Sequence, residues 1–369
     1  MRALVIGGTA ATGPPVVRRL LERGYDVALY HRGLHEAESL PDDLEHIHGE
    51  PHFEETIARD LAGRSFDLVV ATYGRIRYLA QALEGKTPRL ITIGGFPVMK
   101  GWLHVRDPHN AEHDGPVLIP GYEDNELEED GVDAFVDRMI ETERAVMDRH
   151  AAGHYEATHF RYPYVYGPHS IVASEWKVIK RALDDRRRFI IQGGGLTLST
   201  RCASENVGHA IALAIDQPER SAGQIYHLAD DVQFTAQQWV ELIAGIVGYE
   251  FEFVEIPWSI APPGRTFVPL SGQPFHRLMS NAKLRGDLGY RDAVRPQDWL
   301  RKTVEWWLEH PPTVDGRGNN MKASEFDYEG EDRLLAAWDE LLASAPEVFS
   351  ERVYFRHPYP HPKQLGDLL

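Results

Sequence analysis

Residues Gly7, Gly8, Thr9, Ala10, Ala11, Thr12 and Gly13 follow directly on an apolar run, Ala3-Leu4-Val5-Ile6, and directly precede a helix-forming stretch over 14–24. A strand, a glycine-rich turn and a helix start in that order make an anion site. Backbone N–H groups and the helix dipole converge on one spot, and a dinucleotide pyrophosphate is its usual occupant. Gly7 serves the sharp turn, and Gly13 lets the helix close on the strand. The Gly-x-x-Gly-x-x-Gly spacing is broken at Ala10. An ordinary strand-to-helix turn is the competing reading, and the strand context on both sides favours the phosphate turn.

The second strand, read over 26–30, ends Tyr30-His31-Arg32-Gly33, with no acid before Glu36. An acid at that place binds the ribose 2′-hydroxyl of NAD, whereas a planar cation pairs with a 2′-phosphate. Arg32, with His31 beside it, therefore reads as a site for NADP(H) rather than NAD(H). His31 reads equally as a solvated loop histidine. Tyr73, after a strand over 66–71, and Tyr162 with Pro163, after a later strand, complete the expected cofactor-contacting set.

These residues need a sheet to hold them, and the chain supplies one. Strands and helices alternate through the first half, the pattern of a doubly wound parallel α/β sheet of the Rossmann type. Helices are expected over 54–62, 76–83 and 133–150, and strands over 66–71, 89–93 and from 158. Gly94-Gly95 are expected to stop the strand at 93. Residues 101–132 break the alternation with Pro, Gly, His and many acids, and a loop of that length in a compact domain is usually functional. Beyond 170 come expected helices over 175–185, 206–215, 235–247, 298–310 and 331–344, with short strands over 189–192, 225–228 and 251–256. The division expected is a dinucleotide-binding domain over 1–170, joined by some later segments. A smaller α/β substrate domain over 171–312 follows, then a C-terminal helix and Pro/aromatic arm over 313–369.

The 369 residues carry a net charge of −17, which repels nucleic-acid backbones and anionic membranes. One cysteine, Cys202, leaves no disulfide framework and fits a reducing compartment. No stretch reads as a signal peptide or a membrane span, so a cytoplasmic protein with a small-molecule substrate is expected.

Three segments together resemble a known family, the extended short-chain dehydrogenases/reductases of the NAD(P)-dependent epimerase/dehydratase group. They are the Gly-Gly-Thr-x-x-Thr-Gly turn, then Arg161-Tyr162-Pro163-Tyr164-Val165-Tyr166-Gly167-Pro168, then Gly223-Gln224-Ile225-Tyr226-His227-Leu228 with Thr235. The resemblance covers about residues 1–311 and implies a substrate lobe and a homodimer built on helices. It also implies a Tyr-x-x-x-Lys pair on a helix, with Ser or Thr after the preceding strand, to move a proton to and from the substrate oxygen. This chain departs there. No Tyr-x-x-x-Lys occurs between residues 90 and 170; Phe135 and Met139 fall at the pair, and Gly94-Gly95 at the serines.

Replacement acids must come from the strand ends or the long loop. Tyr164, Tyr122 and Lys100 are the expected catalytic candidates, with Thr92, Tyr73, Tyr166 and His169 nearby in the same segments. Tyr166 is expected to pack beneath the site and Arg161 to anchor the sheet. The loop set His104, Asp107, His109, His113 and Asp114 has no familiar zinc spacing, and neither has the arm around His357 and His361, so no metal is expected. The basic residues Lys177, Lys180, Arg181 and Arg186 to Arg188 read either as a surface for an anionic substrate or as a solvated helix face. The functional expectation is an NADP(H)-dependent oxidoreductase, or an epimerase or dehydratase, with a non-standard proton donor. A non-catalytic NADP(H)-binding sensor or scaffold is the alternative.

Overall fold

The computed structural model describes residues 1–34, 39–103, 118–261, 275–313 and 323–344. Contacts divide the chain into Met1–Tyr328 and Glu329–Leu369. The second unit's described part is helical, belonging to a helix over Tyr328–Ser344 in which Arg333 pairs with Glu329 at 3.8 Å.

Seven parallel strands organise the first unit. In chain order they are β1 (Arg2–Ile6), β2 (Asp26–His31), β3 (Glu45–His48), β4 (Leu68–Ala71), β5 (Arg89–Gly95), β6 (Glu156–Tyr162) and a late strand at Gln224–His227. The late strand pairs with β6, so the order across the sheet is late strand, β6, β5, β4, β1, β2, β3. β1, β2 and β4 are almost wholly apolar because helices cover both faces. One face carries α1 (Gly13–Glu22) and a helix over Ser204–Asp216, through Val16, Val17, Leu20, Val207 and Ile211. The other carries α2 (Glu54–Asp60), α3 (Ile76–Ala82) and α4 (Ala134–Ala151), through Ile57, Leu79 and Val146.

Two local expectations are corrected. β5 does not stop before the glycines: Gly94 and Gly95 stay in register with Arg161 and Tyr162 of β6. A Cβ on Gly94 would lie 2.5 Å from His159 Nε2, so the glycines serve close strand packing rather than termination. β3 was not expected at all. Its sequence, Glu-His-Ile-His, has a single apolar residue because it is an edge strand with one side open to water.

A second core lies past β6. Two parallel pairs, Tyr164–Tyr166 with Arg201–Ala203 and Arg188–Gln192 with Glu252–Ile256, pack with helices at Trp176–Leu183, Ala236–Val247 and Pro296–Glu309. Trp176, Trp239 and Trp307 lie in it with Tyr166, which donates to Asp230 at 2.9 Å. Thr235 caps the Ala236–Val247 helix in a reciprocal capping box with Gln238.

Candidate active site

The sheet order reverses between β2 and β4, on either side of β1, and the carboxyl ends of strands at such a reversal frame a crevice. The Gly7 to Gly13 turn fills that place. Gly7 and Gly8 have φ of 102° and 86°, the left-handed region that favours glycine. A Cβ on Gly7 would sit 2.6 Å from Thr72 Oγ1, itself bonded to the Ile6 carbonyl at 3.0 Å. A Cβ on Gly13 would sit 2.0 Å from the Gly8 carbonyl oxygen. The turn is folded as tightly on α1 as backbone allows.

Among the described residues, the N–H groups of Thr9, Ala10, Ala11 and Thr12 make no hydrogen bond. Pro14 and Pro15 carry no N–H, so the donors of this helix start are concentrated in the turn itself. Beside them the Tyr162 hydroxyl is buried and turned toward Thr12, without closing a hydrogen bond to any described residue. Burial pushes its pKa up, so it stands as a neutral O–H donor. Free N–H groups, a cradle that admits no side chain and an unsatisfied buried hydroxyl fit a pyrophosphate. Pro163 follows Tyr162 and is buried between β6 and the 164–166 strand.

At the outer end of the crevice the Arg32 guanidinium lies 5.3 Å from the centre of the Tyr73 ring, and Tyr73 meets His52 edge-on at 4.9 Å. Arg32 is exposed. His31 behaves differently. It is 4% exposed, and burial, together with the neighbouring His46 and His48, lowers its pKa to about 4. A neutral imidazole adds no charge to Arg32. Its ring instead joins His46 and His48 of β3, two residues that sequence reasoning missed. The alternating His-x-His of an edge strand was the available signal.

At the inner end, α4 begins at its cap Asp133, whose carboxylate accepts from the N–H groups of Phe135 and Val136. Phe135 is 56% exposed. Met139, one turn on, covers Gly95 so closely that a Cβ there would lie 2.0 Å from Met139 Cε. The first turns of this helix thus place an exposed ring and a thioether beside the end of β5. Below it Glu143 pairs with Arg161 through two contacts of 2.8 Å. Burial opposes the Glu143 charge, but Arg161 outweighs it and holds the carboxyl below the usual range. Arg161 also donates to the Glu123 carbonyl, so it locks β6 to α4 and to the segment before α4. His159, bonded to Thr92 at 2.8 Å, is held near pKa 4 by burial and is sealed from solvent.

The three catalytic candidates have different surroundings. Lys100 lies just past β5 and pairs with Glu126 and Glu129 at 3.3 and 3.0 Å. Tyr122 is 46% exposed in the same layer, where the 121–128 stretch bridges to Met99 and Met279. Tyr164 sits on the 164–166 strand near Ser174, Glu175 and Arg201; burial raises its pKa, the wrong direction for easy proton exchange near neutrality. The helical part of the basic stretch is engaged internally: Lys177 meets Glu325 at 2.5 Å, Lys180 meets Asp184, and Arg181 donates to two backbone carbonyls. The histidine set of residues 104–114 and the arm at 356–362 lie outside the described residues.

No family model and no curated protein sequence matches this chain. Solved structures do match. A UDP-glucose 4-epimerase from Thermotoga maritima, solved with UDP-glucose, has a TM-score of 0.66 and 18% identity over 85% of this chain and 100% of its own. The fold is that of the epimerases and dehydratases. An epimerase from Methanothermobacter thermautotrophicus matches at 0.66 with 15% identity, covering 84% of this chain and 92% of that one. A dTDP-glucose 4,6-dehydratase from Streptomyces venezuelae, with NAD and TYD bound, matches at 0.61 with 19% identity, covering 84% and 97%. The epimerase/dehydratase fold carries the resemblance read from the glycine turn and the Arg161 segment through most of the chain. Among the described residues no helix is long and apolar enough to cross a membrane.

Proposed function

We propose that this chain is a nicotinamide-dinucleotide-dependent oxidoreductase of the epimerase/dehydratase kind, acting on a small carbonyl or hydroxyl substrate. The observation that carries the reading is the turn from Gly7 to Gly13, where free N–H groups and the orphaned Tyr162 hydroxyl face one crevice. The dinucleotide would supply hydride chemistry. The chain would bind its pyrophosphate on the turn and its adenosine end between Arg32 and Tyr73. NADP(H) is the proposed form, because an exposed arginine, Arg32, directly follows β2 and no acid occurs in the sequence between it and Glu36. Several matched structures, including those from Streptomyces venezuelae and Thermus thermophilus, contain NAD, so the preference here would rest on Arg32.

The proton donor would lie off α4, at Lys100 or Tyr122 after β5, or at Tyr164. A sensor that binds the dinucleotide without turning it over is the second reading. Met139 packed over Gly95 favours it, because that contact would leave no proton-transferring group at the position that the family resemblance assigns to the lysine.

Titration with NADPH and NADH tests the binding reading. NADPH is expected to bind more tightly, and Arg32→Ala to erase about tenfold of that preference, the worth of one exposed charge-assisted contact. Equal affinity for both forms in the native chain would overturn the NADP(H) assignment. Assay against a carbonyl panel with Lys100→Met, Tyr122→Phe and Tyr164→Phe then separates the two readings. One of the three is expected to lower kcat by about 100-fold or more. Tight binding with no turnover supports the sensor.

A further inference from the structure

We propose that His31, His46 and His48 form a binding site for a divalent transition metal of the zinc class, at the open edge of the sheet. Parallel pairing sets His31 opposite His48 and Leu29 opposite His46, so the three histidines share one face by strand register. One ring nitrogen from each lies within 4.8 Å of the other two. His31 and His46 rings meet edge-on at 4.9 Å, and His48 lies 5.0 Å from His31. Gly33 makes room for this: a Cβ there would lie 2.8 Å from His48 Nδ1.

The chemistry of the cluster favours a metal over an anion. Phosphate recognition is served by fixed cations, whereas the groups that converge here are three imidazole rings packed against one another. Three imidazoles are a common ligand set for zinc, which takes nitrogen at about 2.0–2.1 Å and accepts a fourth ligand from solvent. Tetrahedral ligand atoms around such an ion stand about 3.3 Å apart. The present spread is already close, and the tightest pair, His31 Nε2 to His46 Nδ1 at 2.7 Å, has to open slightly.

Proton accounting is simple. Nδ1 of His31 accepts from the Gly33 N–H at 3.2 Å, so its proton sits on Nε2 and is shared with His46. Ligation through Nε2 moves that proton to Nδ1 and turns the Gly33 N–H to water. Gly33 is exposed, so its N–H can be hydrated and the exchange costs little. His46 ligates through the lone pair it already presents. With His46 and His48 exposed, the fourth position faces solvent.

The test is titration of the EDTA-dialysed full chain with Zn²⁺ by calorimetry and with Co²⁺ by visible absorption. The expected result is one saturable ion per chain with the intense absorption of a tetrahedral cobalt centre. His46→Ala and His48→Ala, both at exposed positions, are each expected to weaken binding by at least about 100-fold, since even outer-shell changes cost 10–100-fold. His154→Ala, at an exposed histidine away from the cluster, is expected to change nothing. The proposal is overturned by weak unsaturable binding, by affinity that survives in both cluster variants, or by equal loss in His154→Ala. Circular dichroism of each variant shows that a lost site is not a lost fold. The proposal does not depend on dinucleotide binding.

Discussion

Gly13→Ala probes the turn most directly. The added methyl would meet the Gly8 carbonyl oxygen at 2.0 Å and its carbon at 2.1 Å, and both atoms are backbone. No rotamer relieves that. To reach an ordinary contact of 3.4 Å, α1 and the turn must part by about 1.4 Å. Such overpacking costs about 3 kcal/mol, while alanine returns about 1 kcal/mol of helix propensity, leaving a net loss of about 2 kcal/mol. For a chain of this size that is a fall in Tm of about 3 °C. Dinucleotide affinity should suffer more, because moving the turn takes N–H donors off the phosphates. One charge-assisted hydrogen bond is worth about 1.5–3 kcal/mol, so the Kd for NADPH is expected to rise by at least about tenfold. Gly24→Ala is the control. Gly24, unlike Gly13, has positive φ, 74°, but a Cβ there meets nothing within 4 Å. It should cost about 1 kcal/mol of backbone strain and leave NADPH affinity unchanged. Thermal unfolding and fluorescence titration read both quantities. Native affinity in Gly13→Ala, or an equal affinity loss in Gly24→Ala, would refute the reasoning that this turn is the phosphate cradle.

Glu143→Gln leaves the Arg161 guanidinium buried without its counter-charge, so urea unfolding should show a loss of about 3 kcal/mol; a loss below about 1 kcal/mol would mean that the pair is not the tie between β6 and α4. Burial holds His159 at pKa about 4 and His227 at about 3, below the ordinary histidine value, so acid loads the unfolded chain with protons first. Their share of stability is whole above about pH 6.5 and is lost as pH falls toward 4. Buried Glu175 and Asp230, both raised to about 7, act oppositely: their share is whole below about pH 4 and is lost as pH rises through 7. His159→Gln should therefore make the acid decline shallower by about one proton, read from denaturation curves between about pH 4 and 7. An unchanged slope would count against a neutral buried His159.

Much of the fold was legible because its signals are local. Ala3 to Ile6, Val27 to Tyr30 and Leu68 to Ala71 are continuous apolar runs, and a strand covered on both faces has to read that way. The helix expected over 235–247 is found at Ala236–Val247, where Thr235 and Gln238 close a capping box. β3 was illegible for the complementary reason. An edge strand holding one apolar residue has no hydrophobic pattern to show, and only its pairing with β2 makes it a strand. Gly94 and Gly95 misled because paired glycines weaken a strand and usually punctuate it; here they continue one, and His159 and Met139 pack close against them.

The sequence by itself determined the glycine-rich turn from Gly7 to Gly13, the absence of an acid between β2 and Glu36 and the lack of a Tyr-x-x-x-Lys pair in the 90–170 segment. Each is a matter of residue type at fixed spacing along one stretch of chain. Only the tertiary structure decided what packs around the start of α4. Met139 reaches Gly95 from a helix some forty residues away, and Glu143 reaches Arg161 across a layer. It also decided the state of the histidines. His31 reads as a loop residue beside a cation, yet the register of β2 on β3 buries it against His46 and His48 and keeps it neutral. Charge state follows from burial and from neighbours distant in sequence, and a linear pattern carries neither.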